Sequence, residues 1–426
     1  MFCFYLVAFL GLFHVNALAG NEEYIFNTRQ SHNPNINDAD YWDNDDFVPY
    51  KNERHDSFDW RLLKEVLLKD SNNAILSPVS VKLLLVLLVE AAGAGTETKK
   101  ELDSILPNLQ PPVPVRELYQ KILSSLKEES VHYDINIGTK IFADVYVDPR
   151  QRFASIIKTY FDTDIQILDF RNADQSAYII NNWCSNITAG HIQNLVSIDD
   201  VQNSVMVMLN AIYFDGLWKR PFLLNNTIEL PFFVTPSENV RATFMTQTDH
   251  FYYFESAKLN AKFIRLPYKG KKFAMTILLP NAKGGLEELI REIEGDSLKR
   301  LQWLMNEKQV KVTIPKFKFD YTSHLKDTLK SLGIKEIFSS SASLPGLARG
   351  SGLNKQLQVS NIIQKAGLIV HEKGTTAYAA TEVSLVNKFG GSIIEEFNAN
   401  RPFLFLIEDE TTGTVLFAGK VTNPSV

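Results

Sequence analysis

Residues 374–386 read Gly374-Thr375-Thr376-Ala377-Tyr378-Ala379-Ala380-Thr381-Glu382-Val383-Ser384-Leu385-Val386. At the two-residue period of a strand, one set is Thr375, Ala377, Ala379, Thr381, Val383 and Leu385, small at its start and apolar at its end. The complementary set contains Tyr378, Glu382 and Ser384, and so carries the bulky ring, the carboxylate and the hydroxyl. That alternation predicts a strand with one buried face and one more polar face. Asn387-Lys388-Phe389-Gly390-Gly391-Ser392 does not continue it and reads as an exposed turn with one basic residue. Periodicity alone leaves two readings open: an ordinary strand ending in a hairpin turn, or a potential strand placed directly upstream of a trypsin-like cleavage site.

Outward from this segment, the 426-residue chain is 45% apolar, ample for a sizeable core. Past residue 55 no Pro/Gly/Ser-rich linker or charge block divides it, so residues 56–426 read as one domain. A net charge of −5 favours neither nucleic acid nor an anionic membrane as partner. The small basic cluster Lys269, Lys271 and Lys272 reads as a solvated turn.

Residues 2–13 form an apolar run too short to span a bilayer comfortably. Ala17 and Ala19 follow in an A-x-A pattern, so residues 1–19 are expected to be a signal peptide, although no Lys or Arg precedes the run. Residues 20–55 are rich in Asn and Asp without periodicity and are expected to be an acidic, disordered extension. Tyr41, set among acids there, is a candidate for sulfation, with a plain tail the simpler reading. Cys3 leaves with the signal; Cys184, left alone, suits a small buried hydrophobe better than a nucleophile. Export agrees with two sequons, Asn186-Ile-Thr188 and Asn225-Asn-Thr227, whose asparagines are glycosylation candidates if exposed.

The periodicities alternate between helix and strand. Helices are expected from Ser57 (as N-cap), from Ser77-Pro78 through the apolar run Leu83–Val89, over 96–106 and 115–127, and at YIINNWCSN, LEELIREI and SHLKDTLKSLG, the last stopped by Gly333. Strands are expected at IGTKIFAD, DIQILDF, SVMVMLNAIYF, KFIRLPY, FAMTILLP, KVTIPKFKF, FLFLIED and VLFAGKV. The class is α+β with a helix-rich first third.

Catalytic spacings do not emerge. Arg349-Gly-Ser-Gly352 lacks the nucleophile-elbow frame. Gly413 to Gly419-Lys420 has five intervening residues where a phosphate loop needs four. The eight histidines are scattered, without HExxH and without cysteine partners for a metal. No enzyme, metal or cofactor is called for.

Several blocks, in order, resemble the serpin family over nearly all of residues 56–426. They are Asn73-xxx-Ser77-Pro78-x-Ser80; Leu209-Asn210-Ala211-Ile212-Tyr213-Phe214-x-Gly216-x-Trp218-xxx-Phe222; Leu266-Pro267-Tyr268-x-Gly270 with Leu279-Pro280; Ile314-Pro315-Lys316-Phe317 with Leu332-Gly333-Ile334; and Phe397-Asn-x-x-Arg401-Pro402-Phe403 with Leu416-Phe417-x-Gly419-Lys420-Val421-x-Asn423-Pro424. The resemblance implies a serpin fold of three β-sheets with eight or nine helices and an exposed reactive-centre loop, here about 374–395. Glu372, Gly374, Thr375, Thr376, Ala377, Tyr378, Ala379, Ala380 and Thr381 match the family's inhibitory hinge. Counting about sixteen residues on from Glu372 lands on Lys388, so the implied reactive bond is Lys388–Phe389.

The implied function is suicide inhibition. A trypsin-like serine protease cuts the loop, the loop inserts into the central sheet, and a covalent 1:1 complex is trapped. The implied sheet-opening cluster is Ser77, Ser80, Asn210 and Gln364; Gln364 stands where many serpins have His, which puts any pH sensitivity of the cluster in doubt. Gln364-Lys365-Ala366-Gly367 with Asn387-Lys388-Phe389-Gly390 resembles an arthropod group that restrains clip-domain proteases of the melanisation and Toll cascades. The bait also resembles the Asn-Arg-Phe-Gly activation site of insect prophenoloxidases. The protein is then expected to be a monomer in a haemolymph-like extracellular fluid, with no nucleic-acid or membrane partner. Heparin activation is not expected, since the 115–127 helix carries acids as well as bases. The competing readings are a non-inhibitory serpin acting as carrier or storage protein, and an unrelated secreted enzyme.

Overall fold

The computed structural model describes residues 57–105, 112–348, 357–373 and 394–426. The expected signal, the acidic extension, Gly374–Thr381 of the hinge and the Lys388–Phe389 bond all lie outside the described residues. The chain divides between Phe47 and Val48, and everything described belongs to the second unit.

The order begins α1 (Ser57–Lys69), β1 (Ala74–Leu76), α2 (Pro78–Ala91), α3 (Glu97–Ile105), α4 (Pro112–Leu126), β2 (Tyr133–Asp144), α5 (Gln151–Phe161), β3 (Asp164–Leu168), α6 (Ala173–Ile187), α7 (Ile198–Val201) and β4 (Met206–Gly216). It continues β5 (Thr227–Phe233), β6 (Asn239–Ser256), β7 (Ala261–Pro267), β8 (Phe273–Pro280), α8 (Leu286–Glu292), α9 (Gly295–Trp303), β9 (Asn306–Pro315) and β10 (Phe317–His324). Last come α10 (Lys326–Ser331), β11 (Asn361–Val370), β12 (Glu395–Asn398), β13 (Phe403–Asp409) and β14 (Thr414–Val421). Among the described residues no helix is long and apolar enough to cross a membrane.

Two sheets organise these elements. One has five strands in the order β10-β11-β4-β2-β3. The other follows β1-β14-β13-β8-β7-β6-β9-β12, with β5 paired to β6. The implied second and third sheets therefore run together, because the 18-residue β6 pairs with β5 at one end, with β9 through its middle and with β7 at the other end. Ten α-helices lie among the described residues rather than eight or nine; α7 and α10 are short turns of 4 and 6 residues.

The centre of the five-stranded sheet is buried on both faces, so β4 is apolar from Met206 to Phe214 except at Asn210. Val207, Leu209, Ala211 and Tyr213 pack with Ala177, Ile180 and Cys184 of α6. Met206, Met208, Ile212 and Phe214 join the main core with α2 and the larger sheet.

Local differences from the sequence reading have physical causes. KVTIPKFKF is two strands, not one. β9 ends at Pro315, which has no N–H for a further rung, and the chain changes sheets at Lys316. The helix expected from Ser323 starts at Lys326, because Ser323 and His324 pair with Gln364 and Ile363 of β11. Ser57 lies within α1 rather than before it. Ser77, by contrast, occupies the N-cap position of α2, with extended backbone and Pro78 at the first helical position.

Candidate functional site

β4 and β11 are neighbours and run parallel, in register from Asn361↔Val207 to Leu368↔Phe214. Across the middle of this seam lies a polar row. Gln364 is opposite Ser323 of β10 and Asn210 of β4, and Asn210 is opposite Thr139 of β2. The Gln364 amide is used at both ends. Its Oε1 accepts from the Ser77 N–H at 2.8 Å, and its Nε2 donates to the Ser77 carbonyl at 3.0 Å and to Asn210 Oδ1 at 3.3 Å. Asn210 Nδ2 donates onward to the Gly138 carbonyl and Thr139 Oγ1, 3.1 and 3.0 Å away. Ser77 Oγ makes no helix-cap bond and instead meets Ser80 Oγ at 3.0 Å.

Ser77, Ser80, Asn210 and Gln364 are all fully buried. The four expected side chains are thus brought together, tying α2, β11, β4 and β2. In low dielectric such a network holds strongly while its partners are matched. A glutamine supplies donor and acceptor at once, with no protonation state to satisfy.

A second cluster sits where β11 ends. The Trp218 indole N–H donates to the His371 carbonyl at 2.8 Å, and the Phe222 N–H donates to the Glu372 carbonyl at 2.8 Å. The Glu372 carboxylate is nearly buried and accepts from Thr227 Oγ1 at 2.8 Å and from Lys316 Nζ at 3.0–3.1 Å. Burial alone would raise this carboxyl. Its own backbone N–H, Lys316 and Thr227 outweigh that and hold it below the ordinary glutamate range. Burial lowers the neighbouring His371, helped by Lys316 and Lys373 and opposed by Glu372. Trp218 also stacks on Tyr268, with ring centroids 4.3 Å apart. These contacts fix the residues immediately before Gly374.

On the α6 face, the 188–197 connection crosses β4 and β11. Lys365 Nζ donates to the Gln193 carbonyl at 2.7 Å and pairs with Asp320, while His191 stacks on Tyr213 at 4.0 Å. Cys184 is fully buried, and burial pushes its thiol up to about 12. Both sequon asparagines are exposed: Asn186 near the end of α6, Asn225 in a 3-10 turn.

The sequence reading missed the roles of Trp218, Phe222, Thr227, Lys316 and Thr139. The first two and Lys316 stood inside the quoted blocks, so pattern marked them without saying what they touch. Thr227 was marked only as part of a sequon, and Thr139 carried no signal beyond its place in a strand.

Comparison with known proteins agrees with this architecture. The family model described as Serpin (serine protease inhibitor) matches residues 53–424. Serine protease inhibitor 2 of Anopheles gambiae is 42% identical over 383 residues, covering 88% of this chain and 93% of its own. Among solved structures, Serpin48, described as a highly specific serpin in the insect Tenebrio molitor, matches with TM-score 0.76 and 30% identity over 86% of this chain and 96% of its own. Human thyroxine-binding globulin matches with TM-score 0.78 and 27% identity, covering 87% and 98% respectively.

Proposed function

This chain belongs to the serpin family, and from that premise we propose that it is a secreted, single-use inhibitor of trypsin-like serine proteases, cut at Lys388–Phe389 and closed by insertion of its own loop between β4 and β11. The observation that carries this reading is the β4–β11 seam: two parallel strands joined by a polar clasp, with β11 leading directly into the alternating segment 374–386. A chain that reverses after β11 runs antiparallel to both neighbours, so it pairs on both edges. The insertable segment, Gly374–Val386, is of similar length to β4 and β11, at 11 and 10 residues.

In the proposed reaction the protease serine attacks the Lys388 carbonyl. The Lys388–Phe389 bond breaks, Phe389 leaves as a new amino terminus, and Lys388 stays esterified to the serine. Freed at one end, the segment inserts and carries the protease with it. Each backbone bond gained contributes roughly 0.5–1.5 kcal/mol. About a dozen bonds, with apolar burial, give on the order of 10 kcal/mol, comparable to the stability of a folded domain. That is enough to distort the protease before water cleaves the ester. Thr375, Ala377, Ala379 and Thr381 are small, as entry into a packed sheet requires.

Lys388 suits a primary pocket with an aspartate at its base. Likeness to an Anopheles protein named as a serine protease inhibitor supports the role, and the Asn387–Gly390 bait supports clip-domain proteases of the melanisation or Toll cascades as targets. Secretion from a cleaved signal and glycosylation at Asn186 and Asn225 belong to the same reading. The carrier alternative draws on the likeness to thyroxine-binding globulin; the small hinge side chains favour inhibition. The test is incubation with a panel of trypsin-like and clip-domain proteases, then denaturing gels and mass spectrometry. The expected result is a stable adduct with release of a peptide beginning at Phe389. Cleavage without adduct overturns the inhibitory reading, and a different new terminus overturns the bond.

A further inference from the structure

At the end of the β4–β11 seam away from Glu372, the Ser360 N–H donates to the Met206 carbonyl and the Val205 N–H donates to Ser360 Oγ, both at 2.8 Å. α7 belongs to the β4 side of this junction. The chain runs from Val201 into β4 at Met206, the Asp200 carbonyl accepts from Ser204 Oγ at 3.0 Å, and the Asp144 N–H at the end of β2 donates to the Val205 carbonyl at 2.9 Å. β10 belongs to the other side, paired to β11 along its whole length with His324 opposite Ile363. His324 Nδ1 lies 3.3 Å from Asp200 Oδ1 and 3.5 Å from Asn361 Nδ2. It therefore joins β10 to α7 over the start of β11. The strand alternation agrees: Ile363 packs with Val201 and Leu209 in the cluster beneath α6, so His324 stands on the face that α7 covers.

The charged groups of the elements around His324 are Asp199 and Asp200 of α7 and Lys326 and Asp327 of α10. Among the described residues Asp200 is the one that reaches it; Lys326 lies over the Phe338 ring. β11 brings the neutral Asn361 beside it and, further along the same face, Lys365, which pairs with Asp320 and donates to the Gln193 carbonyl. The Asp200 side chain is 14% exposed and that of His324 50%. Asp200 Oδ2 accepts from the Ser197 N–H at 2.8 Å and from Ser197 Oγ at 2.7 Å, which fixes the carboxylate and leaves Oδ1 to the imidazole.

We propose that the His324–Asp200 pair is an acid-tightened bridge across the β4–β11 seam: the charged imidazolium holds α7 and β4 to β10 and β11, and loss of its proton loosens that end. It rests on the reading that this seam opens to admit a strand. A strand admitted between β4 and β11 moves α7 from β10 by one strand spacing, about 4.8 Å, which a contact of 3.3 Å does not survive. Gln364 holds the middle of the same seam without a protonation state, so this pair supplies a pH response that the clasp lacks.

The sign follows from linkage. The closed seam favours the protonated imidazole and the open seam does not, so the contribution of the pair is present in acid and is lost as pH rises through the histidine range of about pH 5–8. Carboxylates are ionised across that range. The pair is partly open to solvent, and a pair of this kind shifts an equilibrium by at most about fivefold.

Hydrogen exchange of the full chain, read on peptides covering β4 and β11 and corrected for intrinsic rates, tests this. The Ser360 amide is a direct reporter, since its bond to the Met206 carbonyl spans the seam. Expected in the wild type is exchange up to about fivefold faster at about pH 7.5 than at about pH 5.5. His324→Gln, at a half-exposed site, is expected to exchange at the faster rate at both, and His324→Lys, which keeps the charge, at the slower rate at both. Asp200 is left intact because it also caps α7. A flat wild type, or a wild-type slope that persists in His324→Gln, overturns the bridge. Adduct formation with a trypsin-like protease is scored alongside: adduct with flat exchange removes the bridge alone, whereas a slope that His324→Gln abolishes, without adduct, removes the inhibitor and leaves the bridge.

Discussion

Replacing Gln364 by Met isolates the clasp, because methionine nearly matches the glutamine in volume and leaves no cavity. Three bonds are lost: from Ser77 N–H, to the Ser77 carbonyl and to Asn210 Oδ1. They are not equivalent. The Ser77 carbonyl keeps the Val81 N–H at 3.2 Å, so two groups are orphaned, Ser77 N–H and Asn210 Oδ1. Both belong to fully buried residues. A buried polar group left without a partner costs about 1–3 kcal/mol, which for two such groups places the expected loss at about 2–6 kcal/mol. The assay is urea unfolding at neutral pH, with the rate of uptake of a synthetic peptide copying residues 374–386 as a second readout. Uptake is expected to accelerate, because the bonds removed are side-chain bonds that reinforce the backbone ladder between β11 and β4 and tie β11 to the start of α2. A loss below about 0.5 kcal/mol with unchanged uptake would refute the claim that this amide holds the seam.

Thr375→Arg places a long charged side chain on the face that must enter the sheet, so the variant is expected to be cleaved as a substrate on denaturing gels without a lasting adduct. Lys388→Ala is expected to abolish inhibition of trypsin-like enzymes while circular dichroism stays unchanged; rapid inhibition by it would show that the bait lies elsewhere. Lys316→Met leaves the Glu372 carboxylate to Thr227 and its own N–H, at a loss of about 1–2 kcal/mol in a pair that is open to solvent on the lysine side. Glu372 titrates below its ordinary 4.5, so that contribution is present above this value and is lost as pH falls through the lowered one. The difference in urea midpoint between wild type and Lys316→Met should therefore be full at neutral pH and shrink in acid; a constant difference would exclude this ion pair as its cause.

The sequence by itself determined the elements whose cause is local. The mostly apolar run of β4, the Ser77-Pro78 start of α2 and the Gly333 stop, with its positive φ of 102°, were legible because burial and backbone geometry write directly into residue type. So was the alternation of 374–386, whose small face constrains what it can do without showing where it lies. Family blocks then marked Trp218 and Lys316 as positions that matter. Only the tertiary structure decided what these residues do, because each function is a meeting of distant parts. Gln364 reaches Ser77 across 287 residues and Glu372 reaches Lys316 across 56. Asp200 and His324 read as ordinary polar residues until the packing of α7 beside β10 set them 3.3 Å apart. Such packing has no local signature in either chain segment, so a charge pair across a strand seam is invisible in one dimension and plain in three.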